Sequence, residues 1–122
     1  MTGDLRRRFM EVVAERGLKR GEFTLASGEK SSYFFDLKMV TLSPEGAYLA
    51  GRLVLDVLKD IDIDAVGGLT LGADPIVAAV AAVSYLEGRP IPAFIERGEL
   101  KDHGTQKAIE GYLPQKGGRV AI

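Results

Sequence analysis

The sequence has 122 residues, of which 46% are hydrophobic and 27% are charged, a balance that predicts one soluble globular domain with a real core. Sixteen basic and seventeen acidic residues leave a net charge of −1, so no global positive field would recruit nucleic acid or an anionic membrane. The lack of cysteine and the single histidine exclude a disulfide framework and thiolate chemistry, and they argue against a structural metal site held by protein ligands.

The first predicted element is an amphipathic helix. Leu5, Phe9, Val12 and Val13 recur at helical spacing, and Gly17 stands where a C-terminal cap is expected. This segment is too charged for a signal peptide, and no apolar run in the chain reaches the length of a membrane span. We therefore expect a cytoplasmic protein.

A β-hairpin is predicted next, over residues 22–38, with the turn "SGEK" between two runs of period two. Adjacent Phe34 and Phe35 must point to opposite faces of a strand, so we expect one ring to fill the core. The other ring could contact a planar ligand, cover a small second layer or pack under the first helix.

The next signal is Ser43 before Pro44, which is typical of a helix N-terminus with a capping hydroxyl. We expect this helix to end near Lys59. Its predicted inward face consists of Ala50, Leu53, Val54, Val57 and Leu58.

A strand, a glycine-containing loop and a helix are predicted over residues 64–88. The helix should be capped by Asp74, begin at Pro75 and, because it is apolar on nearly every side, pack against a sheet. Further strands are expected at 90–96 and 118–122. This order predicts an α/β sheet with a ligand site beyond the carboxyl ends of its strands.

The loop "LTLGAD" joins a strand end to a helix N-terminus. Exposed amides and the helix dipole favour a phosphate there, and Gly72 would let the backbone approach such a ligand. The alternative is an ordinary tight turn from strand to helix, which this loop taken alone favours, because one glycine is far weaker than a full phosphate-binding fingerprint.

The polar stretch 97–111 has two interpretations. Three glycines would allow movement, and Arg97, Lys101 and His103 suit oxygen anions, as a lid over a phosphorylated substrate requires. The interspersed acidic residues also fit a solvated loop of mixed charge, and they argue against a nucleic-acid stripe.

Three stretches in this order, "FTLASGEKSSYFFD", "GGLTLGADPIVAAVA" and "ERGELKDHGTQKAIEG", resemble the orotate phosphoribosyltransferases. The resemblance covers nearly the whole chain. It implies the type I phosphoribosyltransferase fold, in which a mainly parallel sheet is flanked by helices and preceded by a helix-hairpin hood. The chain would form a single domain over residues 1–122, with the hood at about 1–40 and the α/β core at about 41–122.

The implied reaction transfers phosphoribose from 5-phosphoribosyl 1-diphosphate to orotate, giving orotidine 5′-phosphate and diphosphate with the help of magnesium. By the family pattern Arg97, Lys101 and His103 contact the diphosphate donor, and Lys101 and His103 are the catalytic candidates. The same pattern places Leu71 and Gly72 in the diphosphate-binding turn, and Phe34 and Phe35 in the orotate pocket. The loop 97–111 would reach into the partner subunit's site of a homodimer.

The chain departs from that pattern at several places. Better-known bacterial members carry lysine where Ala26, Gly72 and Gly98 stand here. The acidic, threonine- and glycine-rich loop that holds the ribose 5-phosphate is expected directly after "GGRVAI", so we expect a fold incomplete at its C-terminus and a 122-residue chain that is inactive alone. A non-catalytic regulatory module that binds phosphoribosyl diphosphate, or a structural fragment that dimerises, are the alternatives.

Overall fold

The computed structural model describes residues 2–98 and 108–122. Four α-helices occur in this part of the chain: α1 (Thr2–Val12), α2 (Lys38–Thr41), α3 (Pro44–Leu58) and α4 (Asp74–Leu86). Its strands are β1 (Leu18–Thr24), β2 (Lys30–Phe35), β3 (Ala65–Leu69), β4 (Ala93–Glu96), β5 (Ile109–Gly111) and β6 (Val120–Ala121).

Helix α1 continues into a short π-helical turn, Val13–Gly17, before the chain enters β1. The predicted helix is confirmed, but Gly17 does not serve as a left-handed cap, because its φ is not positive. Instead Gly17 is buried, and an added Cβ would lie 3.0 Å from Val40 Cγ2 and 3.3 Å from the Asp36 carbonyl oxygen. Close packing against α2 therefore explains this glycine.

The predicted hairpin is confirmed, with β1 and β2 pairing antiparallel from Leu18 opposite Phe35 to Thr24 opposite Lys30. Gly28 adopts φ +88° in the connecting turn, and its amide donates to the Leu25 carbonyl oxygen at 2.8 Å. The hairpin packs mainly within itself and on the turn Val13–Gly17. Consequently neither Phe34 nor Phe35 is buried, and the expectation that one of them fills the core is wrong.

Helix α3 begins as predicted, since the Ser43 hydroxyl accepts a hydrogen bond from the Gly46 amide at 3.1 Å and Pro44 is the first helical residue. Its predicted inward face is only partly right. Ala50 and Leu58 are buried, but Val57 is 69% exposed. Leu49 and Leu55 are buried as well, because α3 contacts α1 on one side and α4 on another.

A four-stranded sheet of order β5-β4-β3-β6 forms the centre of the molecule. Strand β3 pairs parallel with β4 and β6, and β5 pairs antiparallel with β4 at the edge. The prediction of a mainly parallel α/β sheet is confirmed. Strand β5 was not predicted, because its three residues lie inside the stretch 97–111 that the sequence indicates as a loop.

Helix α4 packs on β3 and β4, and α3 packs against α4. The two helices share with the sheet a core of aliphatic side chains: Leu55, Leu58, Val66, Val77, Val80, Val83 and Ile91. Gly51 permits close contact between the helices, since an added Cβ would lie 3.0 Å from the Ala79 carbonyl oxygen. The expectation that α4 packs against a sheet is confirmed. Helix α4 also packs against α3, which explains why it is apolar on two sides.

The end of α3 is held by a residue distant in sequence. The Arg89 guanidinium donates to the carbonyl oxygens of Leu58 at 3.0 Å, Lys59 at 3.2 Å and Ile61 at 2.6 Å. The Leu58 carbonyl oxygen also accepts from the Ile61 amide at 3.1 Å. The cation adds hydrogen bonds at the C-terminal end of α3 and opposes the negative end of the helix dipole. Within the part of the chain that is described, no helix is long and apolar enough to cross a membrane.

Candidate functional site

The carboxyl ends of β3 and β4 lie side by side at one edge of the sheet. Leu69 pairs with Glu96 in parallel register, and the Thr70 amide donates to the Glu96 carbonyl oxygen at 3.0 Å. The turn that follows β3 is thereby set next to Arg97, the residue that follows β4. In open α/β sheets this edge is the usual place for a ligand.

The turn Thr70–Ala73 leads from β3 into α4. The Ala73 amide donates to the Leu69 carbonyl oxygen at 3.3 Å, and the Asp74 amide donates to that of Leu71 at 3.1 Å. Among the described residues, the amides of Leu71 and Gly72 have no hydrogen-bond acceptor. The turn therefore presents two unused donors just ahead of a helix N-terminus, as an anion-binding turn requires.

Two glycines shape this turn in different ways. An added Cβ at Gly68 would lie 2.5 Å from the Ala73 Cβ, so Gly68 lets the turn fold back onto the end of β3. An added Cβ at Gly72 would meet nothing within 4 Å, so this side of the turn is open. The predicted binding residues Leu71 and Gly72 are both exposed.

Asp74 is not the helix cap that the sequence predicted. Ala73 occupies the cap position, and no side chain there makes a capping hydrogen bond. The Asp74 carboxylate instead accepts a hydrogen bond from the Thr70 hydroxyl at 2.7 Å and ties the two ends of the turn together. Its Oδ1 atom is buried and has no hydrogen-bond partner in the described part of the chain.

Arg97 is half-buried and forms an ion pair with Glu110. Its Nε donates to Glu110 Oε2 at 2.9 Å, and its Nη2 donates to the same oxygen. The Arg97 amide donates to the Ala108 carbonyl oxygen at 2.8 Å, which extends the ladder between β4 and β5 by one residue. Arg97 is thus held on both its backbone and its side chain.

The aromatic pair of the hairpin lies on two faces of β2. The Phe34 ring is 41% exposed and lies 5.7 Å from that of Phe23, whereas the Phe35 ring is 47% exposed and lies 5.8 Å from that of Tyr33. An open cavity of about 450 Å³ lies on the Phe34 face. Its lining includes Lys19 and Ala26.

The other predicted site residues, Lys101 and His103, lie outside the described residues. The pairing of β3 with β4 sets the Arg97 backbone beside Thr70, at the start of the turn that contains Leu71 and Gly72. The structure places Phe34 and Phe35 on a separate element, the hairpin, which packs mainly on the segment Val13–Gly17 rather than on the sheet.

A larger groove of about 590 Å³ lies between α3, β3, α4 and β6. Every residue that lines it is aliphatic or glycine, so the groove offers no side chain for acid-base or phosphate chemistry. Within the described ranges there is also no cluster of three or more His, Asp and Glu side chains that could hold a metal ion.

Two residues of this site were not predicted from the sequence. Thr70 fixes the turn through Asp74, and Glu110 pairs with Arg97. A Thr followed four residues later by an Asp at a helix start is a usable signal for the first contact. The second contact joins residues 13 apart across a loop, and no local pattern indicates it.

Sequence comparison finds relatives along nearly all of the chain. An orotate phosphoribosyltransferase of Nostoc sp. is 49% identical over 118 residues, which is 97% of this chain and 57% of the relative. That of Aquifex aeolicus is 44% identical over 120 residues, covering 96% of this chain and 65% of the relative. The chain thus spans less than two thirds of the length of these curated relatives. No protein-family model matches the chain.

Solved structures give the same result. An orotate phosphoribosyltransferase of Mycobacterium tuberculosis, in complex with Fe(III) dicitrate, superposes with a TM-score of 0.80 at 40% identity, covering 95% of this chain and 64% of that one. A structure of the same enzyme with 5-phospho-α-D-ribosyl 1-diphosphate gives a TM-score of 0.74 at 38% identity, covering 95% of this chain and 61% of that one. The resemblance seen in the sequence is therefore confirmed: in sequence and in fold, this chain is related to the orotate phosphoribosyltransferases over nearly its whole length.

Proposed function

We propose that the protein carrying this chain is an orotate phosphoribosyltransferase of pyrimidine nucleotide synthesis. It would transfer phosphoribose from 5-phosphoribosyl 1-diphosphate to orotate and release diphosphate. The observation that carries the proposal is the pair of unused amides at Leu71 and Gly72, set beside Arg97 at the carboxyl edge of the sheet. This arrangement suits a diphosphate group, and relatives with this name match the chain in sequence and fold.

The chemistry of the reaction explains why such donors are needed. The bond from ribose C1 to a diphosphate oxygen breaks while a bond from C1 to an orotate ring nitrogen forms, and the proton of that nitrogen leaves to water or to a diphosphate oxygen. C1 becomes cation-like, and negative charge grows on the leaving diphosphate. Donors fixed in place before the reaction stabilise that charge without reorganising, so the two amides and the Arg97 guanidinium would act on the leaving group.

Lys101 and His103 complete the proposed diphosphate site. Both are hydrogen-bond donors suited to phosphate oxygens near neutral pH, and the family pattern places them against the donor substrate. A cation at Lys101 would stabilise the leaving diphosphate most in the transition state, which is the condition for a catalytic residue.

Orotate is proposed to bind beside the aromatic pair of the hairpin. It is a planar anion, and the exposed ring of Phe34 borders a cavity of about 450 Å³ whose lining includes one cation, Lys19, and one carboxylate, Glu22. Stacking on an aromatic ring and a nearby cation are the interactions that such a molecule would use. Phe35, the second proposed orotate residue, has its ring on the other face of β2 and would contribute less than Phe34.

Magnesium is the cofactor that the resemblance implies. The turn offers a single carboxylate, Asp74, which already accepts a hydrogen bond from Thr70, so these residues fit an ion carried mainly by phosphate oxygens and water. When bound to the donor substrate, magnesium would neutralise part of the diphosphate charge. We further propose a cytoplasmic homodimer in which the loop 97–111 of one subunit brings Lys101 and His103 into the other subunit's site. Arg97, at the start of that loop, stays beside the turn of its own subunit.

The test of this function is a spectrophotometric assay of orotate consumption. It uses the natural polypeptide that carries this sequence, with magnesium and 5-phosphoribosyl 1-diphosphate. We expect orotate to be consumed only when the polypeptide, magnesium and 5-phosphoribosyl 1-diphosphate are all present. One orotidine 5′-phosphate should form for each diphosphate released. Binding of the donor without turnover would reject the proposal and leave a regulatory binding protein.

The Lys101→Ala variant tests the catalytic assignment in the same assay. We expect kcat to fall by roughly two to four orders of magnitude, the scale on which single transition-state donors act. Lys116→Ala is the matched control, because Lys116 is an exposed lysine outside the proposed site. Equal rates for the two variants would remove Lys101 from the mechanism.

A further inference from the structure

The ion pair between Arg97 and Glu110 has a geometry that leaves part of the guanidinium unused. A single carboxylate oxygen, Oε2, accepts from both Nε and Nη2 of Arg97. This contact occupies the side of the guanidinium formed by Nε and Nη2. Arginine has five N–H groups, so the Nη1 side is still available to a second acceptor.

The hydrogen-bond ladder between the strands fixes the backbone position from which the Arg97 side chain projects. Ile95 pairs with Glu110 in the antiparallel ladder, and the Arg97 amide bonds to Ala108. Residues 95 and 97 share one face of β4, so Arg97 and Glu110 are diagonal neighbours on that face. The parallel ladder, with Leu69 opposite Glu96, sets Arg97 beside Thr70 at the start of the turn.

We infer that Glu110 is a positioning residue, which holds the Arg97 guanidinium in one orientation so that its outer edge serves a diphosphate-type anion at the Leu71–Gly72 turn. The inference rests on the proposed function for the identity of that anion. A free arginine loses substantial rotamer entropy when it binds a ligand, and an arginine already fixed by a carboxylate loses less.

The charge of Glu110 acts in the opposite direction, because a carboxylate near an anion site repels the anion. A control must therefore remove the same charge without releasing Arg97. Glu96 provides this control. It is exposed, it precedes Arg97 directly, and its side chain projects from the opposite face of β4.

The experiment compares Glu110→Gln with Glu96→Gln in the natural polypeptide, using magnesium and inorganic diphosphate as the probe in calorimetric titrations. We expect Glu110→Gln to weaken binding by roughly three- to tenfold, the net scale of one ordinary hydrogen-bond contact. Glu96→Gln should leave the dissociation constant within about twofold or tighten it. Both variants should keep the thermal unfolding temperature of the parent protein.

A double-mutant cycle with Arg97→Gln separates positioning from any other effect of Glu110. In the Arg97→Gln background, Glu110→Gln should change the dissociation constant no more than Glu96→Gln does. In steady-state assays, Glu110→Gln should raise the KM for 5-phosphoribosyl 1-diphosphate and leave the KM for orotate unchanged. The Nε–H proton resonance of Arg97, assigned by its loss in Arg97→Gln, should broaden in Glu110→Gln but not in Glu96→Gln.

The outcomes distinguish this inference from the proposed function. Equal diphosphate affinities of the Glu110→Gln and Glu96→Gln variants, or no binding of diphosphate by the parent protein, would overturn the inference. The parent protein could also bind diphosphate and give the expected double-mutant-cycle result without consuming orotate. That outcome would support the positioning role and reject the proposed reaction.

Discussion

Gly67 lies in β3 at a place where a neighbouring aromatic ring takes the space of a side chain. An added Cβ at this position would come within 2.2 Å of two atoms of the Phe94 ring. Phe94 is itself 5% exposed and sits on the adjacent strand, opposite Gly67 in the parallel ladder. The ring therefore has little room to move, and glycine is required by packing rather than by its backbone conformation.

Replacing Gly67 by alanine tests this account. We expect Gly67→Ala to lower the free energy of unfolding by about 1–3 kcal/mol, because the added methyl group displaces a ring in a closely packed interior. Gly72→Ala makes the same chemical change where the new Cβ meets open space. Gly72→Ala should therefore alter the free energy of unfolding by less than about 0.5 kcal/mol. Urea unfolding of both variants measures the difference, and equal midpoints would contradict the packing account.

The aromatic pair of the hairpin provides a prediction about binding. Phe34→Leu should weaken orotate binding by about threefold or more, because Phe34 borders the cavity that contains Lys19. Since both rings are exposed, Phe34→Leu and Phe35→Leu should each change the unfolding temperature little. Phe35→Leu should affect orotate less, because its ring lies on the other face. Orotate titrations and thermal melts check this, and unchanged orotate affinity in both variants would leave the rings without a role in orotate binding.

At the scale of elements, α1 is joined to α3 by an apolar cluster and by an ion-pair network. Val12, Val40 and Leu49 form the buried cluster. Outside it, the Arg8 guanidinium donates from Nε to Glu45 Oε2 at 2.7 Å and from Nη2 to Oε1 at 2.8 Å. Glu45 also lies in the first turn of α3, where the helix dipole favours a negative charge.

The Arg8 contact makes this junction dependent on pH. Its hydrogen bonds hold the pKa of the Glu45 carboxyl below the ordinary value of 4.5. A carboxyl whose pKa is lowered by folding stabilises the folded state above its unfolded pKa, and this contribution disappears as the pH falls through the folded pKa. Arg8, whose pKa is raised, stays protonated across the accessible range.

We therefore expect Glu45→Gln to lower the unfolding temperature at pH 7 and to lose this effect progressively below about pH 4.5. Glu29→Gln is the control, since Glu29 lies on the exposed hairpin turn and its carboxylate forms no ion pair with the described residues. Thermal melts of the three proteins between pH 3 and 7 provide the measurement. A temperature difference between parent and Glu45→Gln that stays constant over this range would exclude the carboxylate as its cause.

At the scale of the whole molecule, the proposed homodimer makes a prediction about sharing of sites. If the loop 97–111 of one subunit brings Lys101 into the other subunit's site, two inactive variants can complement each other. Lys101→Ala removes the proposed catalytic cation, and Gly72→Asp places a carboxylate in the diphosphate turn. The second change should be tolerated by the fold, because the Cβ at position 72 meets open space.

Co-expression of Lys101→Ala and Gly72→Asp should restore about a quarter of parental activity, because half of the dimers are mixed and each mixed dimer has one intact site. Each variant alone should be nearly inactive. Mixing two preparations that cannot exchange subunits should restore nothing, which controls for additive residual rates. If the co-expressed dimers have only the summed rates of the two variants, each site is built from one subunit.

The local features of this fold could be predicted from the sequence because they depend on short-range chemistry. Ser43 and Pro44 specify a helix start, and Gly28 marks a hairpin turn, since these residues act through their own backbone and their near neighbours. The position of the proposed ligand-binding turn after β3 follows in the same way from a glycine between a strand and a helix. The resemblance to orotate phosphoribosyltransferases depends on three such stretches taken in order.

Other features were decided only by tertiary structure, because they depend on residues that the fold brings together from distant parts of the chain. Helical spacing predicted Val57 as an inward residue, but the positions of α1 and α4 bury Leu49 and Leu55 and leave Val57 exposed. Sequence alone also placed Asp74 at a cap, whereas the turn geometry brings it to Thr70. The pair of Arg97 with Glu110 exists because β5 adds to β4 in a defined register, and that register depends on hydrogen bonds across the sheet rather than on any local pattern.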